Sequence, residues 1–150
     1  MIQSATKRII VAITASWTLL ASSTNAKVLI TTAEARLPDD HRVERDPFPG
    51  PKIVLDMPSQ TATTSPLHLK LRFEPRGAKI DTNSLIVTYK KLPSVDLTDR
   101  VKEFCGPSGL DIPNAELPPG SHRIKVEIKD GDGLGGHLEF VVNVTEQLRK

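Results

Sequence analysis

The side chains best able to do chemistry in this 150-residue chain crowd around a glycine-rich break: His122, Asp130, Asp132 and His137. Imidazole and carboxylate are common ligands of divalent cations, so metal binding is the first chemistry to weigh. The run Asp130-Gly131-Asp132-Gly133 invites a calcium loop. Such a loop, of the helix-flanked type, needs oxygen donors at its first, third and fifth positions and a glutamate at its twelfth. Here the fifth position is Leu134 and the twelfth is Val141. Aspartate and glycine are also what a tight hairpin wants for its backbone angles, and turn chemistry is the reading adopted. His122 shares strand phase with Ile124 and Val126, whereas His137 is out of phase with Leu138 and Phe140. Two imidazoles on opposite faces cannot hold one ion. No metal site is therefore assigned.

The remaining reactive groups carry less. Cys105, the single cysteine, stands between Phe104 and Gly106 with no base beside it in sequence, and reads as a small apolar filler. His41 lies among Asp39, Asp40, Arg42 and Glu44 in a proline-rich, charged stretch, and reads as part of a solvated cluster. There is no G-x-S-x-G, no H-E-x-x-H and no phosphate-cradling glycine loop between a strand and a helix. No catalytic residue and no cofactor are expected. The chain reads as a non-catalytic protein.

The elements that would carry these residues are strands. From residue 117 to 144 the chain alternates strictly: His122, Ile124, Val126 and Ile128 on one face, Arg123, Lys125, Glu127 and Lys129 on the other. Leu138, Phe140, Val142 and Val144 resume the alternation after the glycines, so the stretch is one long hairpin. Leu67, Leu69, Leu71 and Phe73 alternate in the same way with His68, Lys70, Arg72 and Glu74. Residues 85–89 form a denser apolar run, as in a central strand. Residues 96–104 fit either a short helix, with Leu97, Val101 and Phe104 at helical spacing, or a crossing strand, and the β surroundings favour the strand. Short β-prone pieces recur at 53–55, 110–112 and 115–117. About seven strands separated by turn signals describe an all-β, immunoglobulin-like antiparallel two-sheet sandwich. Its expected core is Leu69, Leu71, Phe73, Leu85, Val87, Ile124, Val126, Ile128, Phe140 and Val142. The expected divisions are a signal peptide at 1–26, a flexible tether at 27–51 that opens with an apolar piece, Val28-Leu29-Ile30, able to add an extra edge strand, the sandwich at 52–145 and a short tail at 146–150.

Lys7-Arg8, an uncharged, mostly apolar run at 9–21 and a small-residue exit ending at Ala26 give the three-part layout of an export signal. That run is short of the ~20 residues a bilayer span needs, so cleavage and no stable membrane insertion are expected. Without residues 1–26 the chain keeps 18 basic and 18 acidic side chains, because Lys7 and Arg8 are the only charges removed. A neutral chain gives no reason to expect nucleic acid as a partner. Export without an internal disulfide fits a bacterial periplasmic or secreted protein. The expected partner is an unidentified protein or glycan.

Leu117-Pro118-Pro119-Gly120-Ser121-His122, the alternating strand after it, Asp130 and the final strand together resemble the last hairpin of bacterial immunoglobulin-like domains. In that group an L-P-x-G-x-Tyr element leads into the penultimate strand, and the aromatic hydroxyl anchors the corner to nearby backbone. Here His122 occupies the tyrosine position. The same ending is similar to the periplasmic copper-carrier sandwiches, a resemblance that implies copper held by histidines, one of them usually at the mature N-terminus, or by methionine-rich loops. Lys27 stands at that start, and Met57 is the one methionine beyond the signal. The resemblance therefore implies architecture first, with a small periplasmic copper carrier as the alternative to an interaction module.

Overall fold

The computed structural model describes residues 25–43, 49–57 and 62–147. In chain order it contains β1 (Lys27–Val28), α1 (Thr32–Ala35), β2 (Lys52–Leu55), β3 (Thr63–Thr64), β4 (Leu67–Glu74) and β5 (Ile80–Tyr89). There follow β6 (Val95–Asp96), α2 (Thr98–Val101), a 3₁₀ turn (Lys102–Phe104), β7 (Cys105–Gly106), β8 (Gly109–Glu116), β9 (Gly120–Asp130) and β10 (Gly135–Thr145). One sheet runs β1-β8-β4-β2, with β7 also on β8; the other runs β3-β10-β9-β5-β6. The all-β two-sheet sandwich read from the alternation is the observed fold. All ten expected core residues are buried between the sheets.

The β9–β10 hairpin pairs continuously from Gly135↔Lys129 to Val144↔Gly120. Its turn is closed by Asp130, whose Oδ1 accepts from the backbone N–H of Asp132 and of Leu134, both at 3.0 Å. Gly133 takes a φ of 80°, a region costly for a side chain. Gly136 serves a different purpose: a Cβ there would lie 1.8 Å from the Pro51 carbonyl oxygen, where the chain entering β2 crosses β10. The two short pieces at 110–112 and 115–117 merge into the single eight-residue β8, Gly109–Glu116. Pro113, which has no N–H to give, sits where its pairing with β4 shifts between Ile112 and Ala115.

Two expectations are corrected. Residues 96–104 are not a crossing strand; α2 and the 3₁₀ turn occupy most of that stretch. Leu97 and Val101 are buried and Phe104 packs on the core, so the helical spacing was the deciding signal. The stretch 27–51 is not a free tether over its first part. Leu29 and Ile30 are buried in the core, β1 pairs in parallel with β8, and Asp39 bridges Lys91. Thr31 and Glu34 form a reciprocal capping box on α1. This N-terminal arm, residues 27–43, is part of the folded domain. The signal segment lies outside the described residues except for Asn25 and Ala26.

Candidate functional site

His122 is buried at 1% exposure, on the inner face of β9. Its Nε2 lies 2.7 Å from the Pro118 carbonyl oxygen and its Nδ1 lies 2.9 Å from the Tyr89 hydroxyl. A carbonyl can only accept, so Nε2 carries the proton and Nδ1 accepts from the tyrosine. The corner anchor is thus kept with a different donor: an imidazole N–H binds the backbone where the resembling domains use a tyrosine hydroxyl. Burial pushes the His122 pKa down, opposed by the bond to Pro118, so the ring is neutral. Both nitrogens are occupied, and His122 has no lone pair left for a metal.

The other sequence candidates do not join it. His137 is paired with Glu127 across the hairpin, while His122 is paired with Val142, which puts the imidazoles on opposite faces as their phases required. Asp130 is buried and committed to its turn, and Asp132 is exposed. Asp39 and Asp40 are ion-pair partners of Lys91, at 2.5 Å, and Lys90, at 3.4 Å. The Cys105 thiol is half-buried and desolvation raises its pKa, the direction that disfavours the thiolate. Among the described residues no three His, Cys, Asp or Glu side chains gather into a metal-binding group.

A site the sequence did not announce lies on the outer face of the first sheet. His68 on β4 and Asp111 on β8 meet at 2.5 Å between Nε2 and Oδ1, both side chains about half exposed. Lys70 Nζ stands 3.9 Å from the second Asp111 oxygen. Arg72 reaches Asp56 at 3.4 Å and Glu74 at 3.7 Å, and Lys52 reaches Glu74 at 3.6 Å. A cleft of about 290 Å³ opens along this face, lined by Asp56, Lys70, Arg72, Ser108, Gly109 and Asp111 among others. Solvent-exposed pairs of this kind add little stability. They leave cations and carboxylates at register-fixed spacing on the sheet surface. Alternation marked His68, Lys70 and Arg72 as outward-facing, but the pairing with Asp111 depends on the β4–β8 register, which a single chain does not spell out.

The fold and this face describe an all-β two-sheet sandwich with a charged sheet surface. No protein-family model and no curated protein match the chain. Among solved structures it is similar to CopC from Methylosinus trichosporium OB3b, at 18% identity and a TM-score of 0.45, over 67% of this chain and 98% of that one. Among the described residues no helix is long and apolar enough to cross a membrane.

Proposed function

We propose that the protein is an exported, non-catalytic binding module that meets a charged protein or glycan partner through the outer face of β4 and β8. The observation that carries this reading is the array of Lys70, Arg72, Asp56 and Asp111 around one cleft, each still exposed enough to exchange its neighbour for a ligand. Mixed charge on a rigid surface selects partners by complementarity, and the like-charged alternatives are rejected. The buried polar groups, His122 and Asp130 above all, are already spent on the fold.

A small periplasmic metal carrier, copper being the cargo the resemblance implies, is the second reading. It is favoured by one feature, the exposed imidazole–carboxylate contact of His68 and Asp111. The two readings separate in a thermal-shift screen with copper, zinc and calcium. A ligand that binds only the native state at one hundred times its Kd stabilises it by about 2.7 kcal/mol. The binding-module reading expects no shift, together with capture of a partner from the exported fraction that is lost in Arg72→Glu. A saturable metal shift abolished by His68→Ala overturns it in favour of the carrier.

A further inference from the structure

The two sheets end side by side, and between their last strands a strand's place stands open. β2 is the last strand of its sheet, and beyond β10 only β3 follows, paired with Val144 and Thr145 alone. At its other end the β10 edge meets Gly50, whose N–H bonds the Gly135 carbonyl at 2.9 Å. Between these contacts, over 138–143, no described residue pairs with the β10 edge. The hairpin fixes which way the free groups point. Asp130 N–H bonds the Leu134 carbonyl, so the next pair, Lys129 and Gly135, turns its backbone groups outward, as the bond from Gly50 shows. The register then runs unshifted to Val144, and Glu139 and Val141 aim their N–H and C=O away from β9. No lysine, proline or bulge blunts this length, and its one carboxylate, Glu139, is neutralised by Arg123 at 3.0 Å. A groove of about 620 Å³ runs beside it, lined by Leu55, Leu138, Phe140 and Val141 among others. Leu55 and Leu138 pack on the core yet stay partly exposed. We propose that this edge takes an extended peptide segment of a partner protein as an added strand, with apolar side chains at alternate positions.

An open backbone edge states the chemistry of its ligand. Outward N–H and C=O groups two residues apart are matched by another extended backbone, lying about 4.8 Å away. Every second side chain of that strand would point between the sheets, onto Leu55, Leu138 and Phe140, and apolar residues are selected there. The others would lie beside Glu139, Asn143 and solvent, where polar residues suffice. A second copy of this chain does not fit. Antiparallel pairing of two β10 strands over 138–143 would drive one copy's β3 into the other's Gly50-Pro51. A short free segment passes between the same two obstacles. The groove adjoins the charged face, Leu55 lining one and Asp56 the other, but the strand site does not depend on that face.

The test uses the full chain and two capped, soluble peptides: one alternating valine and threonine, and a depsipeptide twin whose esters lack the N–H donors. Titration with amide exchange is expected to show saturable binding of the first, with slower exchange at Glu139 and Val141. The twin, equally apolar, is expected to bind at least about tenfold more weakly, through the lost main-chain bonds. Val141→Pro removes an outward N–H, leaves the β9 ladder its bonds, and is expected to weaken the first peptide to a similar degree. If that variant fails to fold, the two peptides decide alone. Equal binding of both would show an apolar groove without an added strand, and overturn the proposal. So would the absence of saturable binding at about millimolar peptide. Glu139 and Val141 amides as protected in the free monomer as those of 124–128 would assign the edge to the chain's own residues 58–61 instead. Protection that appears only as the protein dimerises would assign it to a second copy, and either result overturns the partner strand.

Discussion

Single residues in this protein divide by whether their polar atoms face inward or outward. Glu34 belongs to the inward set: Arg100 grips it with two bonds, at 2.6 and 2.9 Å, and Thr31 adds the capping bond. The Arg100 bond, opposed by some burial, holds its carboxyl at about 2 against an ordinary 4.5. The folded pKa is depressed, so the stabilisation is fully present above pH 4.5 and is lost as pH falls towards 2. Discounted for solvent screening of a partly exposed pair, its worth is about 1–2 kcal/mol. Glu34→Gln is expected to lose that amount at neutral pH. Urea unfolding at a series of pH values should also show a flatter acid limb for the variant; an unchanged limb would mean the pair is cosmetic. His68, by contrast, spends nothing on the fold that its removal would expose. That contrast is why the outer face, and not the buried histidine, is offered as the working surface.

At the scale of elements, the arm is where the structure adds most to the reading of the sequence. Ile30 is 2% exposed, so Ile30→Ala is expected to cost ~2–5 kcal/mol, as much as truncating Ile124 in the middle of β9. Lys129→Ala, on the exposed outer face of the same strand, should stay within about 0.5 kcal/mol. Thermal melts in which Ile30→Ala matched Lys129→Ala would return the arm to the status of a tether. The paired long strands were legible because one face of each is apolar and the other charged, a period that only a half-buried strand produces. Lys125 is the exception on the charged face: it is 7% exposed and held 3.2 Å from Glu127. The arm was legible only at its apolar start, whose edge-strand reading β1 meets at Lys27–Val28. Its burial was not legible, for a related reason. Leu29 and Ile30 are adjacent rather than alternating, and the residues after them are rich in proline and charge, the composition of a linker. Their burial is a tertiary event, and so is the meeting of His68 with Asp111. Residues 96–104 were ambiguous because three apolar positions satisfy either period until their neighbours are known.

For the whole molecule, the position of β1 bears on where an export signal would be cut. The first strand starts at Lys27, whose ammonium also pairs with Glu103 at 2.7 Å, and the core begins two residues later at Leu29. Cleavage after Ala26 would leave the strand, the ion pair and both buried side chains in place. A cut past Ile30 would strip two core residues and the parallel pairing with β8, a loss of several kcal/mol on the scale of large-to-small core truncations. The processed chain is therefore expected to begin at Lys27, outside the cytoplasm, and to melt at the temperature of a chain from which residues 1–26 were deleted by design. Intact mass and N-terminal sequencing of the fractionated protein decide the first point, and a melt of each form decides the second. A full-length species held in the inner membrane would show the apolar run at 9–21 acting as an anchor.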